Sequence, residues 1–251
     1  MSENFSPRLT RTRMLLGDEG IIRLQQASVM LIGLGAVGGY ALEALARAGV
    51  GHLILVDFDV FDETNINRQI LALSSTVGRP KTEVARERVL EINPACRVEI
   101  RNLFVNAETI PALLDTPADF VIDAIDTLNP KCCLMEELYR RGIPFISSMG
   151  AALKSDPAFI RCGQLSASKN CGLAKFIRKR LRRRGVEISR IQCVYSEEQA
   201  ELPETAFCET EAGNEDGRSR HTLGSLPTIT AIFGLTIANE VITRLSGYRR
   251  K

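Results

Sequence analysis

The stretch "SVMLIGLGAVGGYALEALARAG" (residues 28–49) decides the fold. Its first five residues form a short apolar run of the length and composition of a buried strand. Gly33, Gly35 and Gly38 then fit the pattern G-x-G-x-x-G. The segment from Ala36 onward reads as a helix stopped by Gly49 and Gly51. Glycines at these three spacings let a backbone turn tightly, approach a phosphate closely and feed it to the N-terminus of a helix. A strand before the motif and a helix after it favour a nucleotide-binding turn over a Gly-rich turn without a ligand. Both NAD and ATP satisfy that reading.

Working outward, the same alternation continues. "HLILVD" (52–57), "RVEIR" (97–101), "DFVIDA" (119–124) and "PFISSM" (144–149) read as strands. Residues 8–27 (interrupted at Gly17), 79–93, 107–114 and 130–141 read as helices. This order predicts an α/β fold: a Rossmann-like, doubly wound, mostly parallel sheet, with N-terminal helices before it and a C-terminal α/β elaboration after it. Beyond Gly150, strands over 158–165 and 190–195 flank a basic helix. Residues 196–224 read as a loop, and a final helix starts at Pro227, where the missing N–H costs nothing. We read residues 1–251 as one domain, with a nucleotide-binding half over 8–150 and a substrate- and RNA-binding half over 151–251.

Composition narrows the function. Seven cysteines, none in a C-x-x-C pair, and only two histidines argue against a disulfide scaffold and against a zinc site. No segment combines a basic start with an apolar core in the manner of a secretion signal. The most apolar stretch, residues 226–245, carries Asn239, Glu240 and several threonines, so it reads as a buried or half-buried helix and not a membrane span. The expectation is a cytoplasmic protein without membrane association. The net charge of +2 conceals segregation: seven of the ten residues 175–184 are basic, and residues 197–216 carry eight acidic side chains and no basic one.

The strand at 52–57 ends in "DFDVFDETNINRQ" (57–69). Asp57 lies where a carboxylate accepts hydrogen bonds from a ribose, and Asp59 either shares that role or faces water. Arg68 is out of place beside an adenine or nicotinamide ring, but suits a triphosphate extending past the glycines. Lys81, in "GRPK", sits at a helix start; with Arg68 it can neutralise transferring phosphates, unless both are solvated surface cations. "DAIDT" places Asp123 and Asp126 at a strand end, where a carboxylate holds Mg²⁺ together with phosphate oxygens. Asp126 has a second reading, as the cap of the following helix.

Taken together, GxGxxG, the D-x-D at 57–59, "NINRQ", "GRPK" and "DAID" resemble the ubiquitin-activating-like adenylating enzymes, in order and spacing across residues 8–150. The resemblance implies ATP and Mg²⁺ as cofactors and a carboxylate that attacks the α-phosphate to give an acyl adenylate. It implies that Asp57 holds the ribose, that Asn65, Arg68 and Lys81 contact phosphates, that Gln69 belongs to the same nucleotide set, and that Asp126 binds Mg²⁺. It also matches Arg11 to an arginine that reaches the neighbouring subunit's ATP, which implies a homodimer; otherwise Arg11 is an exposed helix arginine.

"INPACRV", "VIDAIDT" and "CVYSEE" further resemble the tRNA threonylcarbamoyladenosine dehydratases. That resemblance implies a ligase-type reaction of ATP with tRNA as the partner, in which the threonyl carboxylate is activated and cyclised. The alternative is an adenylyltransferase for a ubiquitin-like sulfur carrier, a branch whose zinc-binding cysteine pairs are lacking here. A non-catalytic nucleotide-binding adaptor is a third reading, and a nicotinamide oxidoreductase a distant fourth. The basic helix fits RNA independently: Leu173, Ile177 and Leu181 form an apolar stripe, while Lys175, Arg178, Lys179, Arg180, Arg182, Arg183 and Arg184 present cations to phosphates, to solvent or to a membrane surface. Cys193 and Cys208 are candidates for nucleophilic work or for sulfur relay with a sulfur-transfer protein, or are structural or incidental. His221, near Arg218 and Arg220, is a candidate substrate contact or a surface residue. ATP is expected to bind the purified protein more tightly than NAD in parallel titrations; the reverse order would overturn the assignment.

Overall fold

The computed structural model describes residues 5–199, 208–209 and 221–249. Seven strands form one sheet: β1 (Ser28–Ile32), β2 (His52–Asp57), β3 (Arg97–Asn102), β4 (Phe120–Asp123), β5 (Phe145–Ser148), β6 (Ile160–Gln164) and β7 (Gln192–Ser196). Their order is β3-β2-β1-β4-β5-β7-β6. Every neighbouring pair is parallel except β6 with β7, so the sheet has one antiparallel edge. The fold is thus the doubly wound, mostly parallel α/β arrangement expected from the alternation of elements. The chain moves outward from β1 to β3, then returns to place β4 on the other side of β1. That reversal opens a crevice at the carboxyl ends of β1 and β4, the position where open parallel sheets bind ligands.

Burial on both faces explains why these strands are apolar runs rather than alternating ones. Val29 and Leu31 of β1, with Leu53 and Leu55 of β2, pack on the side of α2 (Gly38–Ala48) and α7 (Pro227–Ser246). Met30, Ile32, Ile54 and Val56 point the other way, toward α4 (Ile110–Leu113) and α5 (Leu128–Arg141). A third cluster joins α5 to α6 (Gly172–Arg183) through Met135, Ile177, Leu181 and Cys193.

The final helix is buried as its apolar sequence requires, with Ile229, Phe233, Ile237 and Val241 in the core. No described helix is long and apolar enough to cross a membrane. At Gly234 this helix presses on the glycine turn itself: an added Cβ would lie 2.3 Å from the Val37 carbonyl oxygen. Two other helices complete the described set, α1 (Thr10–Gln26), broken at Gly17 with φ 75° as expected, and α3 (Lys81–Ile92). Most of the acidic loop expected over 196–224 lies outside the described residues. Within it, Cys208–Glu209 (β8) and His221–Thr222 (β9) pair as short antiparallel strands.

Candidate active site

Three glycines build the turn after β1, each for a different physical reason. Gly33 has φ 94° and packs so closely on the β4 loop that a Cβ would lie 2.8 Å from the Ala124 carbonyl oxygen. Gly38 opens α2 against the turn, where a Cβ would sit 1.8 Å from the Gly33 oxygen. Gly35 differs: its Cβ would meet only Gln69 Nε2, at 3.9 Å. The backbone there is open to a ligand. Just beyond it, α2 begins without a side-chain cap; Gly39 N–H donates to the Gly35 carbonyl at 2.9 Å and Ala41 N–H to the Val37 carbonyl at 3.1 Å, so the donors left for an anion are the N–H groups of the turn ahead of Gly39.

Asp57, at the end of β2, is buried and anchors the turn. Its Oδ2 accepts the Leu34 N–H at 2.6 Å and its Oδ1 accepts the Asp59 N–H at 2.9 Å. The carboxylate therefore ties β2 to the glycine turn and retains lone pairs for a further donor such as a ribose hydroxyl. The segment after it folds back on the start of α3. Lys81 N–H donates to the Asp59 carbonyl at 3.0 Å, and Phe61 N–H to the Arg79 carbonyl at 3.0 Å.

Lys81 is not a surface cation. Its side chain is only 7% exposed, and Nζ donates to Asp59 Oδ2 at 2.9 Å. The Asp59 carboxylate is partly exposed and positions the lysine. Arg68 donates to the Thr64 carbonyl and to Asn67 Oδ1, each at 2.9 Å. Both acceptors are neutral, so the guanidinium charge is left without a carboxylate among the described residues. Asn65 shapes the short turn before it through a reciprocal cap with Asp62. Gln69 is buried beside the turn, and its Oε1 has no hydrogen-bond partner among the described residues. A buried unpaired amide oxygen next to an open glycine backbone is what a bound polar ligand would satisfy.

Asp126 is exposed and makes no hydrogen bond among the described residues. The helix-cap reading is not realised, because α5 starts at Leu128 with Thr127 in the cap position. Its neighbour Asp123 has a different task. Asp123 and Lys131 are both fully buried and their charges meet at 2.8 Å. Ser147 Oγ donates to the same Asp123 oxygen at 2.7 Å, Ile125 N–H donates to the other at 3.1 Å, and Lys131 Nζ also donates to the Ile125 carbonyl at 2.9 Å. The ion pair thus clasps the loop that carries Asp126 and meets Gly33. Sequence reading missed Lys131. The signal was present, since Lys131 falls on the same helical stripe as Leu134, Met135 and Leu138, all buried.

The remaining candidates lie apart from this centre. Arg11 is exposed on α1, next to Met14 and Leu15, which are 79% and 65% exposed. On α6 the apolar stripe is confirmed in Ile177 and Leu181, with Leu173 half-buried. The cations divide. Arg178 donates to the Ser168 carbonyl at 2.8 Å, Arg180 to Asn129 Oδ1, and Arg184 to Glu136 at 2.5 Å. Three of the seven thus brace the helix against its neighbours. The side chains of Lys175, Lys179, Arg182 and Arg183 have no partner among the described residues. Cys193 is fully buried, and burial pushes its thiol up to about 12, which suits a packing role and not a nucleophile. The side chains of Cys208 and His221, and Arg218 and Arg220, lie outside the described residues.

Removing the cation from a buried pair leaves an uncompensated charge. Lys131→Met is expected to lower stability in urea unfolding by about 3–5 kcal/mol, and Lys131→Met/Asp123→Asn, which removes both charges, to recover most of that loss. Equal losses in the two variants would show that packing, not the ion pair, is what Lys131 supplies.

Comparisons with known proteins agree with this geometry. The ThiF family model matches residues 9–251. The tRNA threonylcarbamoyladenosine dehydratase of Bacillus subtilis is 37% identical over 241 residues, covering 95% of this chain and 94% of the relative. The solved structure of the Escherichia coli tRNA N6-threonylcarbamoyladenosine dehydratase TcdA in complex with ATP superposes with a TM-score of 0.86 at 32% identity, over 96% of this chain and 94% of that one. By contrast, the adenylyltransferase and sulfurtransferase MOCS3 of Drosophila willistoni is 35% identical over 140 residues, only 56% of this chain and 30% of the relative. The chain belongs to the ThiF family, and its likeness to the tRNA threonylcarbamoyladenosine dehydratases runs nearly its full length.

Proposed function

We infer that this protein is an ATP-dependent tRNA threonylcarbamoyladenosine dehydratase. The observation that carries the reading is the extent of likeness: it continues through the C-terminal half, including α6 and β7, whereas the likeness to a sulfur-carrier adenylyltransferase covers little more than half of the chain. The substrate is then a small carboxylate on tRNA and not the C-terminus of a protein.

ATP, consumed as co-substrate, fits the site at residues 33–38. Its phosphates would run along the open backbone at Gly35 and the turn that leads into α2, its ribose would meet Asp57, and Gln69 would gain a partner for Oε1. Arg68 and Lys81, with Asn65 from the turn before Arg68, would contact the phosphates and offset the charge that builds on them as the threonyl carboxylate attacks the α-phosphorus and pyrophosphate leaves. Mg²⁺ also suits the donor set, because it commonly takes one protein carboxylate together with phosphate oxygens, and the unpaired carboxylate of Asp126 is available for it. The metal would supply further charge stabilisation.

The second half of the reaction asks less of the protein. The carbamoyl group carried on the α-nitrogen of the same threonyl unit attacks the activated carbonyl and gives up a proton, and AMP leaves with the carboxylate oxygen. Tethering of the two groups removes most of the entropic barrier to ring closure, so no enzyme nucleophile is needed. The inert state of Cys193 is compatible with that economy. The protein must hold the tRNA and exclude water, which would otherwise hydrolyse the adenylate. Residues 151–251 would supply the tRNA contacts. Arg11, exposed on α1 beside uncovered Met14 and Leu15, would complete the nucleotide site of a second copy in a homodimer.

Purified protein with ATP, Mg²⁺ and tRNA bearing threonylcarbamoyladenosine should release AMP and pyrophosphate in proportion to the cyclised nucleoside formed. Release driven instead by a small protein ending in Gly-Gly would replace this reading with the sulfur-carrier one. Asp126→Ala should cut turnover at least a hundred-fold, on the order of the loss of one electrostatic stabiliser, with an unchanged unfolding midpoint because its side chain is exposed and unbonded. Near-normal turnover would remove Asp126 from the site. Mixed Arg11→Ala and Asp126→Ala chains should regain part of the activity that each lacks alone, since one site in each mixed dimer is whole. No recovery despite demonstrated subunit exchange would count against donation between subunits.

A further inference from the structure

An aromatic ring stands among the cations of α6. Phe176 is 56% exposed, although it lies on a helix whose other large apolar residues face the core. At about 100° per residue, Arg183 lies roughly 20° from Phe176 around the helix axis and Lys179 roughly 60° from it. Both cations are exposed and without side-chain partners among the described residues. Lys175 and Arg182 continue the charged arc away from the ring.

The direction of α6 relates that ring to the nucleotide site. Arg180 reaches Asn129 near the start of α5, and Arg184 reaches Glu136 further along it. Rising numbers on both helices mean that they run the same way, so the first turns of α6 extend toward the end from which α5 starts. That end is the loop carrying Asp126. Gly150, just past β5, confirms the placement, since its Cβ would meet Cys171 Sγ at 3.5 Å and Leu173 Cβ at 3.7 Å. Phe176 therefore lies about one helical turn from Arg180 toward the sheet's carboxyl edge, and it borders Arg180 on the side that faces α5.

We propose that Phe176 is a stacking platform for an unpaired base of the RNA substrate, with the flanking phosphates held by Lys175, Lys179, Arg182 and Arg183. The proposal deepens the reading of the protein as a tRNA-modifying enzyme and rests on it. Charge decides the occupant. A bare apolar patch would suit a protein partner, but an aromatic ring bordered by unneutralised cations matches a single strand, whose bases offer π-faces and whose backbone offers anions. A base beside an anticodon is unpaired, so the ring can take it without the cost of opening a duplex.

The test uses an anticodon stem-loop RNA and a fully paired duplex of equal length. Phe176→Ala and Phe176→Leu should each weaken stem-loop binding by about 5- to 150-fold, the range for loss of one stacked base. The slope of log affinity against log salt should stay unchanged, because no phosphate contact is lost. Duplex binding and ATP binding should not move, and Phe176→Trp should retain stem-loop affinity. Lys179→Ala/Arg183→Ala should instead lower affinity for both RNAs and flatten the salt slope. If the cation variant behaves so while Phe176→Ala binds the stem-loop as the parent does, stacking is refuted and the RNA face stands. If neither variant affects binding, the RNA role of α6 falls with it. A Phe176→Ala protein that binds RNA normally but sediments as a smaller species would assign the ring to a contact between copies of the chain, and would also overturn the proposal.

Discussion

The contact between Gly33 and the loop after β4 is the constraint on which the rest of the site depends. The two backbones meet too closely for any side chain at Gly33, and this contact sits where the strand order reverses. Beneath it, the buried Asp123–Lys131 pair fixes the β4 side, while the Asp57 carboxylate fixes the β2 side by accepting the Leu34 N–H. The glycine turn is thus held from both flanks before any nucleotide arrives. Such preorganisation matters because a phosphoryl-transfer site works through fixed positive charge and aligned donors, which lose their advantage if they must reorganise during the reaction.

The electrostatics follow a division of labour. Arg68 is held by neutral acceptors and Lys81 by a single partly exposed carboxylate. Lys131 is instead fully neutralised and fully enclosed, and its role is architectural. The same split recurs on α6. Arginines 178, 180 and 184 brace the helix, and the remaining cations face outward.

Much of this was legible in the sequence because it is local. Apolar runs bounded by glycines marked the central strands, and the G-x-G-x-x-G turn and the D-x-D fell at the crevice where the strand order reverses. What stayed hidden depends on contacts between distant segments. Lys131 looks like a surface lysine until its helical stripe is compared with the core, and its partner comes from another strand end. The bracing of Arg180 by Asn129 and of Arg184 by Glu136 spans about fifty residues, so residue type alone made all seven cations look equivalent. The burial of Lys81 likewise depends on the fold of the segment 57–61 back onto α3, which no periodicity reports.

The account's central claim is that the chain's nucleotide chemistry is spent on a carboxylate carried by tRNA. The most direct measurement is mass spectrometry of tRNA nucleosides from cells lacking this protein, beside the same cells with it restored. The account predicts that the cyclic form of threonylcarbamoyladenosine disappears in its absence, that the uncyclised form accumulates in its place, and that restoration reverses both. Unchanged levels of the cyclic form in cells with no second dehydratase would contradict it.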